Sequence, residues 1–284
     1  MNLAVDVGGS SIKFAVIDEN NKIIYRHSKE TPDNSKNKIT TLILEVAKEI
    51  RKDYDFKKIG IATAGVVDIE KTEIISASYT IKDYIGTNFK KEIGEKLNCD
   101  IFVDNDVNSA LRGEIFCGSC MGLNEVFCVA LGTGIGGAYY KDDIVTGSNY
   151  AFGELGRTLL YKNSEKTYEQ VASTIAFGKK IEEELQEKIS VKEFFDKCKN
   201  NDEKSKKILN SWLDDLAFGL VNMMLILDPK YVVIGGAISK QGDYIIDLIS
   251  KRVKKLMPIK TNKTKFLAAS LDNDAALFGA ISKF

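Results

Sequence analysis

The chain has 284 residues, 44% of them apolar, which is enough for two domains or one large one and argues against disorder. Forty basic residues balance forty acidic ones, which argues against a nucleic acid or membrane surface held by bulk charge but leaves room for a small anion held locally. Five cysteines, an odd number in a chain this long, point to a reducing cytoplasm rather than a disulfide framework.

In chain order, residues 3–7, 12–18 and 23–30 read as strands, with Gly8-Gly9-Ser10-Ser11 as a tight turn between the first two. With a strand this close to the start, no signal peptide is expected. Apolar residues at helical spacing predict a helix over 36–52, and 59–62 reads as a short buried strand. Residues 66–88 read as irregular and 89–97 as a short helix. A strand follows at Ile101, Phe102 and Val103, then a helix carrying Ala110, Leu111 and Ile115. Strands are expected at 126–131 and 138–140, and loop with turns over 147–161. Helices are expected at 168–188, 191–199, 203–227, 241–256 and 274–281, and strands at 231–234 and 266–269. The longest apolar helical run, 212–227, is interrupted by Asp214, Asp215 and Asn222 and reads as a core helix, not a membrane span.

The candidate chemistry centres on Asp104, Asn105 and Asp106, a carboxylate–amide–carboxylate run at a strand-to-helix junction. Such junctions often bind and catalyse in α/β proteins, although Asn and Asp are also favoured helix caps. Two turns echo each other: Val5-Asp6-Val7-Gly8-Gly9-Ser10-Ser11-Ile12 and Val129-Ala130-Leu131-Gly132-Thr133-Gly134-Ile135-Gly136. Both are strand, small-residue turn, strand, and each opens a mixed segment, so two related lobes with a cleft between them are expected. Turns of this kind present backbone N–H groups to phosphate oxygens. Asp6 before the first turn suits Mg²⁺ carried with a nucleotide. Lys13 after it is either a phosphate partner or a solvated strand residue. Gly132, Gly134 and Gly137 match the dinucleotide fingerprint G-x-G-x-x-G, but Ala138-Tyr139-Tyr140 reads as a strand where the fingerprint needs a helix, so the match is rejected. Gly235-Gly236, after an apolar strand, lets a flat nucleoside approach the backbone. Cys117-Gly118-Ser119-Cys120 has no second pair and no nearby His, so its thiols read as ordinary; His27, the one histidine, reads as a surface residue.

The two turns, the Asn105-Asp106 junction, Val232-Val233-Ile234-Gly235-Gly236 and Asn273-Asp274-Ala275-Ala276-Leu277-Phe278-Gly279 resemble the five motifs of the sugar kinase/actin/heat-shock ATPase superfamily. Thr63-Ala64-Gly65-Val66-Val67-Asp68 and Leu131-Gly132-Thr133-Gly134-Ile135-Gly136-Gly137 resemble the ROK family (repressors, open reading frames and kinases), and the resemblance spans the chain. It implies a two-lobed α/β, actin-like (ribonuclease H-like) fold with a central cleft, the first lobe being 1–112 completed by a helix in 270–284 and the second 113–269. It implies Asp106 as catalytic base, Asp6 with Gly8, Gly9, Ser10, Ser11 and Lys13 serving Mg²⁺ and the phosphates of ATP, Thr133 and Gly134 on phosphates, and Gly235 and Gly236 facing adenosine. Gly65, Asn88, Asn105, Asp106, Glu154 and Glu169 would bind the sugar.

Typical family members carry a zinc-binding His three residues after the first glutamate, then a cysteine cluster. Here Arg157 stands in the His place and residues 158–168 contain neither Cys nor His, so no zinc is expected. Residues 63–68, 78–89 and 154–161 resemble the bacterial N-acetylmannosamine kinases that lack zinc. That implies phosphorylation of the 6-hydroxyl in sialic acid catabolism, by a cytoplasmic homodimer without nucleic-acid or membrane partners. Arg157 has five donors and no acceptor, which suits an acetyl carbonyl; the alternative is that it pairs with Glu154 or Glu169 and braces the loop. Glucose or a β-glucoside is the runner-up substrate. A repressor needs a helix-turn-helix before the first strand, where no room is expected, and a non-catalytic sugar sensor would not need Asp106.

Overall fold

The computed structural model describes residues 1–77, 81–159 and 165–284. The first part of the chain forms β1 (Asn2–Val7), β2 (Ser11–Ile17), β3 (Ile23–Glu30), α1 (Lys38–Ile50), β4 (Lys58–Thr63), β5 (Val66–Asp68), β6 (Glu73–Ser76), α2 (Glu95–Leu97), β7 (Asp100–Asn105) and α3 (Asp106–Cys117). There follow β8 (Val126–Leu131), β9 (Ile135–Lys141), β10 (Asp143–Ile144), α4 (Tyr168–Ala172), α5 (Thr174–Leu185), α6 (Val191–Lys199) and α7 (Glu203–Leu227). The chain ends with β11 (Tyr231–Gly235), α8 (Asp243–Leu256), β12 (Lys265–Ala268) and α9 (Ala275–Ile281). Among the described residues, no helix is long and apolar enough to cross a membrane.

The chain divides into two units: residues 1–123, 143–152 and 273–284, and residues 124–142 and 153–272. In the first unit the strand order is β3-β2-β1-β4-β7. β1, β2 and β3 are antiparallel neighbours, whereas β4 and β7 run parallel to β1. The parallel strands are covered on both faces, which is why they are continuous apolar runs such as Leu3, Ala4, Val5 and Ile59, Ile61, Ala62, all fully buried. α9 lies so close to α3 that a Cβ on Gly279 would stand 1.7 Å from the Ser109 carbonyl oxygen. The second unit repeats the plan: β9 is antiparallel to β8, and β11 and β12 continue parallel to it. Its helical core is aromatic, with Phe177 stacked on Trp212 at 4.4 Å between centroids and Phe194 edge-on to Phe177.

Three segments differ from expectation. The helix expected over 168–188 is two helices, because Ser173 adopts extended ψ (165°) and its hydroxyl caps α5 by accepting from Ala176 N. Residues 66–88 contain the β5–β6 hairpin, whose strands are too short to show periodicity. The helix expected over 89–97 opens as a π-turn, Lys90–Gly94, before α2.

Candidate active site

In the first unit, Val7 pairs with Thr63 and Thr63 with Asn105. The turn after β1, the run Thr63-Ala64-Gly65 and the Asn105-Asp106 junction therefore leave the sheet side by side, at the carboxyl ends of its parallel strands, the usual ligand edge of such sheets. Asn105 is the N-cap of α3: its Oδ1 accepts from Val107 N (2.9 Å) and Asn108 N (3.3 Å), while its Nδ2 donates to Gly65 O (3.0 Å). Cap and tether are one side chain, and Gly65 holds φ +98°, a conformation open to glycine. Behind them Asp104 is buried. Its Oδ1 accepts from Asn105 N and Asn108 Nδ2 (2.8 and 2.9 Å) and its Oδ2 from Arg112 Nε (3.1 Å), which fixes the junction.

Asp106 opens α3, and its Oδ1 accepts from Val107 N (2.9 Å). Burial, and then the negative charge of Asp6, raise its carboxyl to about 6; the Val107 hydrogen bond opposes them. Asp6 itself is 8% exposed and lies opposite Lys13 across the β1–β2 pair, with Lys13 Nζ 2.9 Å from Oδ2. Lys13 is thus an ion-pair partner of Asp6, with its side chain 38% exposed. The turn between them closes by Gly8 N donating to Ser11 O (3.0 Å), with Gly9 and Ser10 exposed.

Two side chains to which the sequence reading gave no role lie together here. The Thr63 hydroxyl lies 2.5 Å from the Tyr84 hydroxyl, both buried. Burial pushes the Tyr84 phenol up, and the charge of Asp106 adds to it. The pair is 21 residues apart and carries no local signal. Asn88 is tied elsewhere: its Nδ2 donates to Lys71 O (2.9 Å) and its Oδ1 accepts from Lys91 N (3.0 Å).

In the second unit the turn after β8 closes by Gly132 N donating to Gly134 O (3.1 Å), with Thr133 exposed. A strand follows, so the false fingerprint has another use: Gly137 N donates to Gly153 O (2.8 Å), seating the backbone just before Glu154. Glu169 reaches this turn. Its Oε2 accepts from Ile135 N at 3.4 Å, and a Cβ on Gly134 would stand 2.4 Å from that oxygen. The carboxylate is held there by α4, whose Tyr168 hydroxyl donates to Leu216 O (2.6 Å). Thr174, also absent from the sequence reading, donates through N to Gly132 O (3.1 Å) and through Oγ1 to Leu131 O (3.2 Å). Gly236, at φ +89°, approaches the same place: a Cβ there would lie 2.1 Å from Leu131 O. Gly235-Gly236, the 132–134 turn and Glu169 are therefore contiguous.

Arg157 donates through Nε to Glu154 Oε2 (2.7 Å), within the short turn Leu155–Arg157. The pair is exposed and contributes about 0–1 kcal/mol. Residues 78–80 and 160–164, parts of two stretches that carry the N-acetylmannosamine resemblance and of the zinc-site segment, lie outside the described residues. None of the five cysteines forms a disulfide among the described residues, and burial raises the Cys117 and Cys120 thiols. His27 is half-buried rather than fully on the surface, because β3 turns it toward the Phe14 ring, 6.1 Å between centroids.

The ROK family model matches residues 2–283. An uncharacterized protein from Clostridium perfringens is 31% identical, over 99% of this chain and 96% of its own length. A ROK family glucokinase from Streptomyces griseus, solved with glucose and AMPPNP, superposes with TM-score 0.84 at 24% identity, over 98% of this chain and 97% of that one. A Listeria monocytogenes protein proposed to be an N-acetylmannosamine kinase superposes with TM-score 0.85 at 22% identity, over 98% of this chain and 96% of that one. These likenesses show the two-lobed, actin-like α/β fold. The chain belongs to the ROK family.

Proposed function

We propose that this protein, an ATP-dependent sugar kinase, transfers the γ-phosphoryl group of ATP to the 6-hydroxyl of N-acetylmannosamine. Asp106 carries the chemistry. Its carboxyl, raised to about 6, is ionised at neutral pH yet basic enough to accept the proton of the attacking hydroxyl. Phosphoryl transfer asks little else of the protein than positioning and charge compensation. The Gly8, Gly9, Ser10 and Ser11 turn and Thr133 with Gly134 supply N–H groups for phosphates, Lys13 adds a positive charge, and Gly235 with Gly236 receives adenosine. Asp6, a buried carboxylate beside Asp106, fits Mg²⁺, which takes oxygen ligands and few of them from protein. Bound with ATP, Mg²⁺ would offset charge on the β- and γ-phosphates.

Gly65, Asn105, Glu154 and Glu169 orient the ring, Asn88 supports the turn before β6 through Lys71, and Arg157 reaches the acetyl carbonyl. The Arg157–Glu154 ion pair matches the loop-bracing role of Arg157 and so favours the second reading, glucose or a β-glucoside. The protein works in the cytoplasm as a homodimer in the breakdown of sialic acid, without zinc. The kinase assignment is tested by sugar-dependent release of ADP, with the product identified by NMR. A 6-phosphorylated sugar is expected; ADP release that no sugar stimulates would overturn it.

A further inference from the structure

The first phosphate turn is closed by a residue outside every motif. Thr31, just past β3, donates its hydroxyl to Gly8 O (2.6 Å) and its backbone N–H to Ser10 O (3.1 Å). Two carbonyls of the turn are thereby drawn to one residue on the neighbouring strand's end. Gly8 N is engaged with Ser11 O, and among the described residues the amides of Gly9 and Ser10 have no backbone acceptor. Both residues are exposed. A turn whose carbonyls are tied back and whose amides are free is an anion cradle, since a free carbonyl beside a phosphate would repel it. Asp6 and Lys13 flank this turn on paired strands, so its shape also sets where they stand relative to a phosphate.

We propose that Thr31 is a positioning residue for the nucleotide: its hydroxyl holds the Gly8 carbonyl away from the phosphate site, and its loss weakens MgATP without weakening the sugar. The inference rests on the kinase reading of the same turn. Thr31→Val keeps the side-chain shape and the backbone N–H but removes the hydroxyl bond, one buried enough to matter by roughly three- to tenfold. Thr31→Ser restores the donor.

The experiment is steady-state kinetics of wild type, Thr31→Val and Thr31→Ser, varying MgATP and sugar separately, with thermal midpoints alongside. The expected result is a three- to tenfold higher KM for MgATP in Thr31→Val, a sugar KM within twofold of wild type, and near-complete recovery in Thr31→Ser. An unchanged MgATP KM, or both KM values rising together, overturns the inference, as does a serine variant no better than valine. A wild type that forms no phosphorylated sugar refutes the kinase reading instead, so the two failures are distinguishable. If Thr31→Val does not fold, Thr31→Ser and Thr31→Ala compared by ADP binding in calorimetry carry the test: serine must bind as wild type does and alanine more weakly.

Discussion

Glu169 Oε2 stands 2.4 Å from where a Cβ on Gly134 would lie, so the glutamate proposed to bind the sugar and the glycine proposed to serve a phosphate occupy adjoining space. Gly134→Ala must push the carboxylate aside, which a flexible side chain can do without disturbing the fold. The expected outcome is a 10- to 100-fold loss of kcat/KM, the usual result of misplacing a positioning group by about 1 Å. The thermal midpoint should change little. A variant with wild-type sugar kinetics would show that the contact has no catalytic consequence.

Gly279→Ala is the contrasting case. Its Cβ would meet the Ser109 backbone carbonyl at 1.7 Å, and backbone cannot rotate away. A loss of at least about 1–3 kcal/mol in unfolding free energy is expected by urea titration. A urea midpoint equal to wild type would mean that α9 slides along α3 at little cost.

As the proposed base, Asp106 would couple activity to stability. Its carboxyl titrates at about 6 in the folded protein against a reference of 3.8, so between those values the folded state binds more protons than the unfolded one. Stability therefore falls as pH rises from about 4 through 6 and stays lower above it. Asp106→Asn, which cannot ionise, should be more stable than wild type by about 1–3 kcal/mol at pH 8, and the gain should vanish near pH 4. The same variant should lose roughly 10²–10⁴-fold in kcat. In wild type, kcat/KM should rise with an apparent pKa near 6. A destabilised variant at pH 8, or a flat acid limb, would contradict the raised carboxyl of Asp106.

Much of this was legible in the sequence where it lay in contiguous residues. The small-residue turns after Val7 and Leu131, and the cap at Asn105, use local chemistry that spacing reveals. The break at Ser173 was hidden because apolar spacing continues through it, while a cap overrides periodicity. The Thr63–Tyr84 hydroxyl pair, the Asp104–Arg112 ion pair behind the junction, and the Thr174 tie to Gly132 join residues brought together by packing. Gly137 was seen as a fingerprint position and turned away correctly. Its bond to Gly153 depends on a segment that no pattern placed beside β9.

Zinc gives an independent test of the residue chemistry around Arg157. Elemental analysis of purified protein should find no stoichiometric zinc, and a zinc-selective chelator should leave fold and activity intact. Removing Mg²⁺ should stop turnover without unfolding the protein. Stoichiometric zinc would contradict this expectation, which rests on the lack of Cys and His in residues 157–169.

The most direct measurement is the set of specificity constants for N-acetylmannosamine, N-acetylglucosamine, glucose, mannose and cellobiose in a coupled ADP assay. N-acetylmannosamine should give the highest kcat/KM, and Arg157→Met should reduce that value more than the value for mannose, which lacks the acetyl group. A kcat/KM for glucose above that for N-acetylmannosamine would contradict the proposed substrate and make Arg157 a brace for Glu154.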